Sequence, residues 1–374
     1  MRSGELARRC SVVVAAVVLA LVAGAVDPAA SLARGPSQKK AIWGPVVRDG
    51  ASQFPIYHRL GAGIYQMSLS WAQVAPTRPQ APTDPADPAY QWPADVDTAL
   101  AEGRKYGIKV LLLASGSPRW ANGGRGPRWA PSSPGDYADF MTAAARRYPD
   151  VKLWMVWGEP SKSQNFQPLS VVRSGRRVTA KQRLGPERYA QILDAAYAAL
   201  KGVNAGNKVI GGNTFTVGTV PPLVYVRLMK LPNGKPPRMD LYGHNPFTAR
   251  APDLRRRPLG GGTADFSDLD TLSSLVNQRL ARPRGKRRLR LFLSEFTLPT
   301  GHRNFEFNFW VSRKLQAKWL AAALRITRRT SSIYSLGWLS LYDDQPRADG
   351  LQVERGLLDW QGRPKPAFNV FARG

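Results

Sequence analysis

Apolar residues gather into short β-rich runs separated by longer stretches of helical spacing, and the alternation repeats along the chain. Eight runs stand out: Ala41 to Val46, Ala62 to Leu69, Ile108 to Ala114, Val151 to Trp157, Lys208 to Gly212, Met239 to Tyr242, Leu289 to Ser294 and Ile333 to Leu341. Runs such as Val110-Leu111-Leu112-Leu113 are apolar without alternation, the pattern of a strand buried on both faces of a parallel sheet. Helical periodicity covers Ala94 to Tyr106, Gly135 to Tyr148, Pro186 to Val203, Pro221 to Met229, Phe266 to Leu280 and Val311 to Arg328. Ser133-Pro134 and Pro186 read as helix starts, whereas Arg48 to Arg59 carries little helical period. Repeated strand–helix units with buried strands predict an α/β protein, a closed (β/α)8 TIM barrel in a single domain.

The N-terminus breaks this pattern. Arg2, Arg8 and Arg9 precede an uninterrupted apolar stretch from Val12 to Val26, shorter than the roughly 20 residues a membrane span requires. Small residues at Ala23-Gly24-Ala25 and Ser31-Leu32-Ala33 offer cleavage points. Residues 1–35 therefore read as a signal peptide with a short leader, with an uncleaved anchor as the alternative, and 36–374 as the barrel of a secreted or cell-envelope protein. The only cysteine, Cys10, lies in the leader, so the exported chain has no disulfide to form.

A net charge of +28 makes the chain strongly basic. The charge concentrates at Arg173 to Arg183, at Arg255-Arg256-Arg257, and at Arg282 to Arg290, where six of nine residues are Lys or Arg. Such runs favour polyanions, and for an exported chain these are anionic envelope polymers or acidic polysaccharides. Nucleic acid is disfavoured, because no binding motif accompanies the charge and no aromatics interleave with it. No stable protein partner is implied.

In this register the long polar or Pro-rich segments Gln73 to Trp92, Ser161 to Gly185, His244 to Ala264, Thr297 to Phe309 and Tyr342 to Gly356 all open at one rim, where barrel sites are built. Glu159 falls just past the fourth strand and Glu295 just past the seventh, on that rim. A pair of carboxyls is the minimum equipment for glycoside hydrolysis: one lends a proton to the departing oxygen, and the other, about 5 to 5.5 Å away in retaining enzymes, attacks the anomeric carbon. Aromatic residues at the same strand ends, Trp43, Trp71, Trp120, Trp157, Tyr242, Phe247 and Trp338, suit the apolar faces of sugar rings. Asp343-Asp344 either holds sugar hydroxyls or makes a solvated turn. No metal or cofactor is implied: Asp265, Asp268 and Asp270 read as a helix cap, and the glycine runs lack phosphate-loop context.

The chain resembles the clan A glycoside hydrolases, closest to family 39 and family 5-like secreted enzymes. The resemblance runs from Ala41 to Phe371. It includes Ser117-Pro118-Arg119-Trp120-Ala121, Arg147-Tyr148-Pro149, Trp157-Gly158-Glu159-Pro160, His244-Asn245-Pro246-Phe247, Leu293-Ser294-Glu295, Gly337-Trp338 and the closing Gly362-Arg363-Pro364-Lys365-Pro366. It implies a retaining O-glycoside hydrolase acting on a carbohydrate, with Glu159 as acid/base and Glu295 as nucleophile. It also implies Trp338 as the floor of the subsite and His244 beside the sugar, and the strand-end aromatics Trp120, Trp157 and Tyr242 are expected among the sugar contacts. One departure is Gly158, where these enzymes usually carry an Asn that holds the 2-hydroxyl. Asn213 or Asn245 is expected to supply the missing amide, unless the sugar is modified there. The rival readings are a carbohydrate-binding barrel without turnover and a transglycosylase using the same site.

Overall fold

The computed structural model describes residues 35–281 and 288–374. The segment read as a signal, and most of the Arg282 to Arg290 run, lie outside the described residues. The barrel strands are β1 (Ser37–Trp43), β2 (Ala62–Ser70), β3 (Lys109–Ser115), β4 (Leu153–Val156), β5 (Lys208–Phe215), β6 (Leu241–Asn245), β7 (Arg290–Phe296) and β8 (Ile333–Trp338). Each pairs in parallel with its sequence neighbours, and β8 closes on β1 through Lys40 opposite Leu336 and Ile42 opposite Trp338. This is the predicted (β/α)8 barrel.

The non-alternating apolar runs are explained by two apolar layers. Leu111, Leu113, Met155, Ile210 and Phe292 fill the barrel interior, whereas Leu112, Trp154, Val209 and Leu291 face outward into the layer beneath the helices. Each fully buried Leu, Ile or Phe stabilises by roughly 1.5–3 kcal/mol on transfer from water.

The helices around the barrel are α1 (Phe54–Arg59), α2 (Ala94–Tyr106), α3 (Pro134–Arg147), α4 (Ala180–Val203), α5 (Pro222–Leu228), α6 (Leu269–Arg279), α7 (Arg313–Arg329) and α8 (Pro366–Arg373). As expected, Ser133 caps α3, accepting from the Gly135 N–H with Pro134 in the first turn. Two expectations need correction. Helix α4 starts at Ala180 rather than Pro186, because Thr179 and Gln182 form a reciprocal capping box that outweighs the backbone bond lost at the internal proline. Arg48 to Arg59 does contain a helix, the short α1, whose Phe54 and Tyr57 are buried. Helix α8, unmarked by periodicity, packs against α7 and is tied to the barrel where Lys40 Nζ donates to Phe371 O at 2.9 Å and Leu60 O at 2.7 Å.

The loop after β8 is pinned from within. Asp343 accepts from Lys365 Nζ at 2.8 Å and from the Gly356 N–H at 2.7 Å, and both side chains of the ion pair are buried. Asp343 therefore holds the loop together and is neither a sugar ligand nor part of a solvated turn.

Candidate active site

Where β4 ends, the chain takes an unusual path: Trp157 has φ 65° and Glu159 φ 45°, on either side of Gly158. Non-glycine residues in this left-handed region cost about 1–3 kcal/mol each, so the surroundings must impose it. The Trp157 N–H donates to Ala114 O at 2.9 Å and its indole N–H to Asn165 O at 2.9 Å, with the ring edge-on to Phe166. A turn follows, with the Lys162 N–H on Glu159 O and the Asn165 N–H on Lys162 O. It folds two side chains back onto the carboxylate. Lys162 Nζ lies 2.8 Å from Glu159 Oε2 and Asn165 Nδ2 3.0 Å from the same oxygen. From β6, Asn245 Nδ2 donates to Glu159 Oε1 at 2.9 Å. Both oxygens of this buried carboxylate are therefore engaged.

Glu295 is positioned from β7. The preceding Ser294 carbonyl accepts from Gln66 Nε2 at 2.9 Å and from Trp43 Nε1 at 3.0 Å, and the Glu295 N–H donates to Asn245 Oδ1 at 3.1 Å. Asn245 thus joins the two glutamates with one amide. Among the described residues the Glu295 carboxyl takes no hydrogen bond. Desolvation and then the charge of Glu159 push it up to about 8, against the pull of Lys162 and Arg355.

This has a sign for stability. A carboxyl whose folded pKa is raised contributes stability fully present below its unfolded value, and loses it as pH rises through the folded value. Glu295→Gln is expected to flatten the fall in thermal stability between pH 4.5 and about 8, leaving the variant more stable than wild type on the alkaline side. Melting curves across that range check this, and parallel curves for the two proteins contradict it.

Two lobes of the rim cleft meet at the pair. One, of about 490 Å³, is the more polar of the two, lined by Ser68, Ser70, Ser115 and Arg128 together with Trp43, Leu113 and Trp157. The other, of about 420 Å³, is aromatic, lined by Phe215, Phe247, Phe307 and Phe309 with Lys162 and Glu306. Both include Glu159 and Glu295. The runs Arg173 to Arg183 and Arg255 to Arg257 fall mainly in exposed stretches after β4 and β6. A separate cleft lined by Lys201, Lys208, Arg238 and Arg290 opens at the strand starts, the opposite end of the barrel.

Of the residues expected around the pair, Asn245 and Trp157 are there. Others are not. His244 is fully buried, with Nε2 donating to Ala264 O at 2.9 Å and Nδ1 accepting from the Thr214 hydroxyl at 2.9 Å. Burial pushes it down to about 4, so the ring is neutral and has no nitrogen left for a sugar. Tyr242 is buried on the same hydroxyl, 3.2 Å from Thr214 Oγ1. Trp338 is also fully buried, packed edge-on to Phe296 in the outer apolar layer, and Leu339 reaches the polar lobe instead. Trp120 lines neither lobe; its indole N–H is spent on Ala75 O at 2.8 Å and Arg78 stacks on its ring. Asn213 is buried, its amide without a partner among the described residues. Asn245 commits its amide to the glutamates, so neither Asn offers it to the lobe. Asp265 caps the turn before α6 as expected, and is held by Arg250 at 2.6 Å. The residues sequence reasoning missed are Lys162 and Asn165, whose spacing of three and six from Glu159 is the signal that one continued turn would present them to it.

No protein-family model matches the sequence, and no curated protein does. Solved structures do match in fold. A family 39 glycoside hydrolase from Bacteroides cellulosilyticus superposes with a TM-score of 0.64 at 18% identity, over 90% of this chain and 63% of that one. A glucosidase from Croceicoccus marinus gives 0.60 at 16%, over 90% and 67%. A family 39 β-xylosidase from Caulobacter crescentus gives 0.57 at 16%, over 91% and 72%. The chain thus spans 63% of the length of the first of these enzymes. By fold, this chain is a closed (β/α)8 barrel similar to solved family 39 glycoside hydrolases.

Proposed function

We propose that the protein is a secreted retaining O-glycoside hydrolase acting on a carbohydrate by double displacement, without metal or cofactor. The observation that carries this reading is the pair itself: Glu159 and Glu295, from different strands, are joined through Asn245 at the base of two adjoining lobes. Glu295 attacks the anomeric carbon and forms a glycosyl ester while Glu159 protonates the leaving oxygen. Glu159 then takes a proton from water, which attacks the same carbon and releases Glu295. The polar lobe suits the sugar that is transferred, and the aromatic lobe the group that leaves. Exposed arginines near the rim favour acidic or cell-envelope polysaccharide as the polymer. A screen of 4-nitrophenyl glycosides and acidic polysaccharides tests the activity: cleavage by wild type but not by Glu295→Gln is expected. Saturable binding without product, or equal cleavage by the variant, contradicts it.

Gly158 leaves room for the missing amide. A Cβ there meets only the Leu113 methyls, at 3.5 Å, an ordinary contact. Gly158→Asn is therefore expected to fold normally and to raise kcat/KM on sugars with a free 2-hydroxyl by roughly tenfold, the worth of one hydrogen bond of about 1–1.5 kcal/mol. A fall in kcat/KM in a normally folded variant means the true substrate carries a substituent at that position.

A further inference from the structure

A second hollow lies beside the polar lobe, and one loop, the stretch after β3, separates the two. Its Pro127 and Arg128 line the polar lobe, whereas Trp129 to Ser132 line the hollow. The loop is held by main-chain bonds. The Ala130 N–H donates to Gln167 O and the Gln167 N–H to Arg128 O, both at 2.8 Å, and the Ser132 N–H donates to Ala121 O at 2.7 Å. The buried Asn122 adds its amide, donating to Gly126 O at 3.1 Å and accepting from the Arg125 N–H at 2.9 Å. None of these bonds uses the side chain of Arg125 or Trp129.

The facing wall is helix α4. Leu184, Glu187, Arg188 and Gln191 recur at intervals of three and four residues, so they share one face of its N-terminal half. A different face carries Tyr189, Ile192, Leu193 and Ala196 into the core. Leu184, although apolar, is left 52% exposed. The hollow measures about 470 Å³, within the ~300–1,000 Å³ usual for ligand clefts. Its lining suits a sugar unit, which needs partners for its hydroxyls and an apolar surface for its ring. Trp129 supplies an indole, with the Arg125 guanidinium 4.3 Å from its centroid. Among the described residues the guanidinium groups of Arg125 and Arg188, the Trp129 indole N–H and the Gln191 amide have no hydrogen-bond or ion-pair partner. Charge narrows the class. Arg125 and Arg188 stand against a single carboxylate, Glu187, which Arg183 already faces at 3.7 Å. The surplus is positive, and a guanidinium fork is matched to a carboxylate or sulfate.

We propose that this hollow is a second carbohydrate-binding site, which takes a carboxylate- or sulfate-bearing sugar unit of the polymer outside the two lobes where the bond is cleaved. Its ligand class rests on the glycosidase reading above. The site touches no reacting atom. It holds long chains beside the cleft and so raises kcat/KM on polymer relative to short glycosides.

Two experiments test this. In the first, full-length Glu295→Gln, in which no turnover is expected, carries indole-15N tryptophan and is titrated by NMR, with Trp129→Phe added to assign the Trp129 resonance. The probes are tetrasaccharides of polygalacturonate, κ-carrageenan and dextran, whose units bear a carboxylate, a sulfate and no charge. The Trp129 resonance is expected to shift saturably with an acidic tetrasaccharide and not with dextran, and Arg188→Gln to weaken that binding by roughly tenfold. Which acidic probe shifts it identifies the group. No shift with either acidic probe, an equal shift with dextran, or equal affinity in Arg188→Gln overturns the site. The second experiment compares kcat/KM on the cleaved polymer with kcat/KM on a 4-nitrophenyl glycoside. The ratio is expected to fall by roughly tenfold in Trp129→Ala and to recover in Trp129→Phe. An unchanged ratio in Trp129→Ala overturns the holding of long chains. Wild type that cleaves neither substrate overturns the glycosidase reading and the gain on polymer with it, a failure the titration separates from any failure of the site, because it reads binding without turnover.

Discussion

Glu159→Gln is expected to lower kcat/KM by roughly 10²–10⁴-fold on glycosides with poor leaving groups, the worth of a general acid, and far less on activated 4-nitrophenyl substrates, whose oxygen departs unprotonated. Glu295→Gln is expected to abolish turnover on both, because no leaving group compensates for a lost nucleophile. The contrast matters more than either loss. Glu159 is held by Lys162, Asn165 and Asn245, and Glu295 through its backbone by Asn245, so each amide variant is expected to keep a similar shape while losing the ionisable carboxyl. Steady-state kinetics on an alkyl and an aryl glycoside of the same sugar check the pattern. An equal loss of kcat/KM at both substrates for Glu159→Gln contradicts its proposed role as the acid.

The largest stability effect is expected far from the chemistry, at Lys365. Its ammonium donates to Asp343, to Thr300 Oγ1 at 3.1 Å and to Glu354 O at 3.1 Å, with the side chains of the ion pair only 1% and 2% exposed. Burial pulls the lysine below its ordinary range and pushes Asp343 above its own, so each ion depends on the other. Lys365→Met leaves an uncompensated carboxylate in the interior and is expected to destabilise by about 3–5 kcal/mol, measured by urea unfolding. Adding Asp343→Leu removes the orphaned charge and is expected to restore most of the loss. A single variant as stable as wild type contradicts this reading of the loop.

The barrel is legible in the sequence because its strands are buried on both faces, which writes Val110 to Ala114 or Leu291 to Leu293 as continuous apolar runs. Short peripheral helices are less legible. The six-residue α1 is too short to show a period, and in α4 the proline at 186 is a louder start signal than the Thr179 box that begins the helix. The same holds at the site. Glu159 and Glu295 are readable from their places at strand ends, but the direction of neighbouring side chains is not. Register shifts between Gly211 and Thr214 in β5, and between Leu293 and Phe296 in β7, break the two-residue alternation at the strand ends that carry the site. Trp338 is placed in the cleft by resemblance, whereas it shares the outward face of Leu336, two residues before it, and lies in the outer layer. His244 and Tyr242 face Thr214 across the shifted register and are consumed in holding β5 to β6. Lys162 was missed because a lysine in a polar loop looks solvated until the turn beginning at Glu159 is known.

The most direct measurement is covalent trapping. Wild-type protein is incubated with a panel of 2-deoxy-2-fluoroglycosyl fluorides, which stall a retaining enzyme at its glycosyl ester, and is then digested and mapped by mass spectrometry. The expected result is one added sugar on the peptide containing Glu295, absent in Glu295→Gln. An adduct on Glu159, or hydrolysis that inverts configuration with no adduct at all, contradicts the proposed double displacement.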